Sequence, residues 1–118
     1  EEKKKIEDCI FCKIINKEIP SKIVLENDYI IAFEDLHPVA PVHVLVVPKK
    51  HIANVMKLTE QDTIYIQEIY KAVQEIAKEK QIDKTGFRIL TNNGEDAGQT
   101  IKHLHFHILG GRKMDIMG

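Results

Sequence analysis

The sequence predicts an α+β fold: a five-stranded, mainly antiparallel sheet with one long helix and a short amino-terminal helix. Short β-branched and aromatic runs follow one another through tight turn signals, which joins neighbouring strands antiparallel. A single long stretch of helical periodicity stands late in the chain, between Thr59 and about Gln81, and places one helix against that sheet. Near the carboxyl end, His103-Leu104-His105-Phe106-His107-Ile108-Leu109 alternates polar and apolar residues with the period of a strand.

Each element has its own local reason. Residues 1–7 are charged and expected to fray. Cys9 to Ile19 mixes apolar and polar residues at spacings that allow a short helix ending before Pro20. Lys22 to Glu26 and Tyr29 to Glu34 are strand-like runs, and Asn27-Asp28 between them is a hairpin signal. His43 to Pro48 contains the apolar run Val44-Leu45-Val46-Val47 and is closed by proline. Thr59 with Asp62 resembles a capping pair, and Ile66, Ile69, Val73, Ile76 and Ala77 then recur as a core stripe. Phe87 to Asn92 is the fourth strand and His103 to Leu109 the fifth. No repeat, low-complexity segment or linker interrupts the 118 residues, which are expected to form one domain, 1–118.

Composition narrows the function classes. With 43% hydrophobic residues, 30% charged and a formal net charge of −1, the chain reads as a soluble globular protein. Positive charge gathers only in pairs such as Lys49-Lys50 and Arg112-Lys113, so a nucleic-acid polymer is not an expected partner. No apolar stretch reaches membrane-spanning length and the amino end is too polar for a signal peptide, so the expected compartment is the cytoplasm.

Three features carry chemistry. His103, His105 and His107 line one face of their run while Leu104, Phe106 and Ile108 line the other. A single histidine there would be a wet strand face; three in strict alternation form a row of imidazoles. Cys9-Ile10-Phe11-Cys12 is a Cys-x-x-Cys pair: redox-active, half of a metal site, or a chance pair of buried thiols. A redox dithiol normally sits in a βαβ context, which is missing, while zinc needs two more ligands and the chain has six histidines. Finally, Asn92-Asn93-Gly94-Glu95-Asp96-Ala97-Gly98-Gln99-Thr100 is a polar, glycine-bearing loop running into the histidines. Such a loop can offer N–H groups and a hydroxyl to an anion, although its composition alone is that of an ordinary turn.

The run His103-x-His105-x-His107, with Gly98-Gln99-Thr100 just upstream, resembles the signature of the histidine triad superfamily. The resemblance extends through Cys9-Ile10-Phe11-Cys12-Lys13-Ile14-Ile15, Glu18-Ile19-Pro20, Ala32-Phe33-Glu34-Asp35, His43-Val44-Leu45-Val46-Val47-Pro48-Lys49-Lys50-His51 and Gly110-Gly111-Arg112. Together these look like the Hint branch in its zinc-containing bacterial form, whose members hydrolyse purine nucleoside phosphoramidates and bind purine nucleotides.

The resemblance implies a role for each matched position. His105 matches the nucleophile that attacks the α-phosphorus and becomes nucleotidylated, a role that suits an imidazole with one nitrogen held and the other bare. His107 and His43 match residues that contact the α-phosphate or adjoin the nucleophile. Asn92, Gly98, Gln99 and Thr100 match phosphate-side donors, and Asp35 matches the carboxylate that holds the ribose hydroxyls. Ile10, Phe11, Ile14, Ile19, Phe33 and Leu36 match the apolar slot for the base. Cys9 and Cys12, with His51 and His103, match a closed structural zinc site. His37 has no matched role and is expected to be exposed.

The resemblance also implies purine nucleoside monophosphates and their phosphoramidates as ligands, and a homodimer that joins the sheets of two copies. Gly110-Gly111-Arg112 looks like the Hint branch and not the branch that cleaves dinucleoside polyphosphates. Two other readings stay open at this level: a zinc hydrolase in which His103, His105 and His107 bind a catalytic metal, and a nucleotide-binding interaction module whose turnover is incidental.

Overall fold

Helix α1, Ile10–Ile15, opens the computed structural model, which describes residues 9–117; the expected fraying of residues 1–7 lies outside the described residues. Cys9 caps this helix by accepting the Cys12 N–H on Sγ at 3.3 Å. The helix stops at Ile15 instead of continuing to Ile19. Lys17 turns left-handed with φ of 63°, and the Lys17 and Glu18 N–H groups bond back to the Ile14 and Lys13 carbonyls. This closing turn satisfies the last carbonyls before Pro20 is reached.

Strands β1, Ile23–Glu26, and β2, Ile30–Glu34, form the expected hairpin. Asn27 Oδ1 accepts from the N–H groups of Tyr29 and Ile30 at 2.8 and 3.0 Å, which is why the chain reverses there. Strand β3 spans Val42–Pro48. Two 3₁₀ turns, Val55–Lys57 and Glu60–Asp62, precede helix α2, Thr63–Glu79. The long helix therefore starts later than expected: the Asp62 carboxylate takes both the N–H and the hydroxyl of Thr59 and tightens that segment into its own turn. Strand β4 is Phe87–Leu90 and strand β5 is Phe106–Gly110.

The sheet order is β1-β2-β3-β5-β4, with every pair antiparallel. Its two faces carry separate apolar clusters. On one, Ile30, Ala32, Val44, Val46, Phe106 and Ile108 meet Ile69, Val73 and Ile76 of α2. On the other, Ile31, Phe33, Leu45 and Val47 lie with Phe11, Cys12 and Ile14 of α1. Among the described residues no helix is long and apolar enough to cross a membrane.

Sheet pairing in the last strand begins at Phe106, so His103 and His105 precede it instead of belonging to it. Main-chain groups of this segment bond to neighbouring residues outside the sheet: the Leu104 N–H donates to the Ile52 carbonyl, and the His105 carbonyl accepts from Thr91 Oγ1 at 2.7 Å. The same bond to Thr91 accompanies an end of β4 at Leu90, short of the expected Asn92. The alternation of faces survives this irregularity, with Leu104, Phe106 and Ile108 all in the cluster under α2.

Candidate functional site

The irregular segment before β5 brings His103 and His105 under α1, while His107 within β5 stands opposite Leu45 of β3. His103 has no exposed surface and His105 is buried. His105 Nδ1–H donates to the His103 carbonyl at 2.7 Å. That bond fixes the tautomer and leaves a bare lone pair on Nε2. The Phe11 ring stands edge-on to His105 at 4.9 Å between centroids and to Phe33 at 5.6 Å, which locks the imidazole from behind.

His107 is held the other way round. The Val39 N–H donates to His43 Nδ1 at 3.1 Å, so the proton of neutral His43 sits on Nε2. From there it is donated to His107 Nδ1 at 2.9 Å. The proton of His107 is therefore on Nε2, a buried donor without a partner among the described residues. Such a group costs stability unless a ligand engages it. Asp35 Oδ2 lies 3.4 Å from His43 Nε2, and Asp35 Oδ1 accepts the His37 N–H at 2.8 Å.

Burial holds these rings neutral. It lowers His43 against the opposing charge of Asp35. It also lowers His105, against the bond to the His103 carbonyl and the charge of Asp35. His107 is pushed down to about 4 by burial and then by His105 and His43, with Asp35 pulling upward. At neutral pH the imidazoles of the cluster are thus uncharged.

A second cluster adjoins the first. Cys9 Sγ lies 3.2 Å from His103 Nδ1, Cys12 Sγ lies 3.2 Å from His51 Nδ1, and one ligand atom from each of these four residues falls within 4.8 Å of all the others. His103 Nε2–H donates to the Pro48 carbonyl at 2.9 Å, so Nδ1 is the nitrogen left to face the sulfurs. Burial, with Cys9 beside it, pushes the Cys12 thiol up to about 12. Two soft sulfurs and two imidazole nitrogens at this spacing fit a tetrahedral cation that takes Cys and His. His103, His105 and His107 do not form a metal-binding group with one another. Asp35, His43 and His107 do approach within 4.8 Å, but around the His43–His107 hydrogen bond.

The remaining expected positions divide. Phe11, Ile14 and Phe33 are buried together, Ile19 is half-buried beside them, and Ile10 is 43% exposed. Leu36 is 85% exposed and joins neither cluster, and His37 is exposed as expected. Asn92 is half-buried just past β4 and Thr100 is exposed. The Gly98 and Gln99 N–H groups are taken by the Glu95 and Gly94 carbonyls. The Gln99 amide accepts from the Gly94 N–H and donates to the Ala53 and Ile101 carbonyls, so this side chain shapes the loop.

Three groups that organise the site have no counterpart in the sequence reading: the Val39 N–H, the Pro48 carbonyl and the Thr91 hydroxyl. The first two are main-chain groups and carry no side-chain signal. Thr91 alone offers a side-chain signal, a hydroxyl just past β4 that bonds the His105 carbonyl.

The family model for the HIT domain matches residues 16–114. An uncharacterised HIT-like protein of Rickettsia prowazekii is 42% identical over 106 residues, covering 89% of this chain and 88% of its own. Among solved structures, a HIT family hydrolase from Clostridium thermocellum superposes with a TM-score of 0.91 at 47% identity, covering 94% of this chain and 96% of its own. A histidine triad nucleotide-binding protein from Candida albicans superposes with a TM-score of 0.79 at 33% identity, covering 94% of this chain and 87% of its own.

Proposed function

Because the chain belongs to the HIT domain family, we propose that it hydrolyses purine nucleoside 5′-phosphoramidates, with His105 as nucleophile and a nucleotidyl-histidine as intermediate. The observation that carries this reading is the bond from His105 Nδ1–H to the His103 carbonyl, which leaves the Nε2 lone pair bare. The hydrolase and nucleotide-binding names of the two solved relatives agree with it at a coarser level.

In the first step the Nε2 lone pair forms a bond to the α-phosphorus as the P–N bond breaks, and the leaving amine takes up a proton from solvent water. In the second, water adds to the same phosphorus and releases a proton to solvent, the N–P bond to His105 breaks with its electron pair returning to Nε2, and nucleoside monophosphate departs. The His107 Nε2–H donates to a non-bridging oxygen whose charge grows in both transition states. Asn92 and Thr100 add donors on the phosphate side, in a loop shaped by Gly98 and Gln99. Asp35 takes the ribose hydroxyls, and Ile10, Phe11, Ile14, Ile19, Phe33 and Leu36 border the base.

Cys9, Cys12, His51 and His103 are proposed to hold a structural zinc ion, which would cross-link α1 to the segment that bears His105. The protein is further proposed to act in the cytoplasm as a homodimer. Strand β4 supports the dimer, since it is a sheet edge on which Phe87 and Ile89 are both exposed.

Incubation with an adenosine 5′-phosphoramidate, followed by rapid quenching and intact-mass measurement, tests the reading. Adenosine monophosphate should be released and an adenylyl adduct should map to His105. Turnover without any adduct, abolished by chelation and restored by zinc, would favour metal-activated water; binding of adenosine monophosphate with no turnover would favour a binding module.

A further inference from the structure

The Gly110-Gly111-Arg112 segment, in which the chain turns out of the last residue of β5, takes no part in the reaction proposed above, yet it is joined to the loop that leads into His43. Gly111 has φ of 87°, and a Cβ on it would come within 2.9 Å of Pro41 Cβ. Glycine therefore lets the turn lie directly against residues 38–42. From that position Arg112 Nη2 donates to the Val39 carbonyl at 3.1 Å. Val39 in turn offers its own N–H to His43 Nδ1, and His43 Nε2–H passes the constraint to His107.

We propose that Arg112 and the Val39 amide are positioning residues for the His43–His107 pair: the turn clamps the 38–42 loop so that the Val39 N–H stays on His43 Nδ1 and both imidazoles keep the Nε2–H tautomer. The two neutral forms of an imidazole lie close in energy, so the bond made at one nitrogen decides where the proton resides. Without the Val39 donor, His43 is free to carry its proton on Nδ1. Its Nε2 would then be an acceptor facing the acceptor Nδ1 of His107, and that contact holds only if His107 changes tautomer as well. His107 would turn a lone pair, instead of an N–H, toward an anionic ligand.

Asp35, His43 and His105 are the titratable groups that face His107. Asp35 Oδ2, at 3.4 Å from His43 Nε2, favours the same tautomer from the other side. The clamp and the carboxylate thus act on one proton, and the experiment separates them. The consequence for rate rests on the proposed phosphate contact of His107, whereas the tautomer is a property of the free protein and is read without substrate.

Long-range ¹H–¹⁵N correlation of the histidine ring nitrogens at neutral pH should show Nε2–H for both His43 and His107 in the wild-type protein. In Arg112→Ala, His43 should shift toward a mixture of tautomers, with kcat on the phosphoramidate about tenfold lower and KM changed less than about twofold. Arg112→Lys, which keeps a donor of similar reach, should recover part of both. A Val39 backbone ester, which removes only the N–H, should shift the ring nitrogens further than Arg112→Ala does. Ring nitrogens unchanged in folded Arg112→Ala and in the ester would overturn the proposal and leave Asp35 as the group that fixes the tautomer. Nδ1–H on His43 in the wild type would overturn it as well. A protein inactive on phosphoramidates but with the expected ring shifts would refute the function proposed above and leave the clamp intact.

Discussion

His105 and His107 stand two residues apart with ring centroids 5.1 Å from each other, yet they carry their protons on opposite nitrogens. The His103 carbonyl takes the Nδ1 proton of His105, while His43 donates to Nδ1 of His107. At Nε2 the first therefore presents a lone pair and the second an N–H. The segment that leads into β5 thus sets a bare lone pair and an N–H side by side, as the proposed nucleophile and electrophilic donor require, with no charge on either ring at neutral pH. Four predictions test this arrangement and its surroundings.

His105→Asn should lower kcat by about 10⁴-fold while adenosine monophosphate still binds, because the proposed phosphate and base contacts lie on other residues. Binding is checked by calorimetry. A variant that keeps more than about a tenth of wild-type turnover would remove His105 from the chemistry.

Zinc is expected at about one ion per chain. Cys12→Ser should lose it and lower the thermal midpoint by roughly 5 °C or more, since a ligand bound only by the folded state stabilises that state. Turnover at low temperature, where α1 stays docked through Phe11 and Ile14, should remain within about tenfold of wild type, because the proposed nucleophile keeps its bond to the His103 carbonyl. Metal analysis and scanning calorimetry decide it, and a metal-free wild type with an unchanged midpoint would exclude the structural ion.

Asp35→Ala should weaken binding of purine nucleoside monophosphates by about 1.5 to 3 kcal/mol, the scale of a hydrogen bond to a charged group. Phosphoramidates that lack the ribose should lose far less. Equal losses for both ligands would mean that Asp35 acts through His43 and not on the sugar.

Acid should destabilise the fold through His107. The folded protein holds this ring down to about 4, against about 6.5 in an unfolded chain. Its contribution is complete above the unfolded value and is lost as pH falls from about 6.5 toward 4, because only the unfolded chain takes up the proton in that window. His107→Asn should remove much of this acid sensitivity, read as a shallower fall of the urea midpoint between those pH values. Parallel curves for the two proteins would show that the ring is protonated equally in both states.

The parts legible in the sequence are those written in side-chain periodicity. Leu104, Phe106 and Ile108 mark the face under α2, and the helix stripe marks Ile69, Val73 and Ile76. Boundaries were less legible where a bond leaves the regular pattern. Nothing about Lys17 announces a left-handed residue, so α1 reads longer than it is. His103 and His105 read as strand residues because alternation is visible, whereas the bonds of Leu104 to Ile52 and of His105 to Thr91 depend on loops arriving from elsewhere. The Cys9, Cys12, His51 and His103 grouping was available from the family resemblance. The tautomer pattern was not, because the Val39 N–H and Pro48 carbonyl that set it are common to all main chains.

The two faces of the sheet are covered unequally: the 17-residue α2 lies over one, and α1, with six residues, over the face behind His105. A helix of that length does not persist by itself, so its hold depends on Phe11, Cys12 and Ile14 staying docked. Native-state hydrogen exchange should accordingly divide the molecule into two cooperative units, with the α1 amides exchanging through a sub-global opening that leaves the α2 layer protected. In that opened form Phe11 no longer backs His105. On the proposed mechanism, catalytic competence would then be lost well before the protein unfolds, and a circular dichroism trace dominated by α2 would not register it.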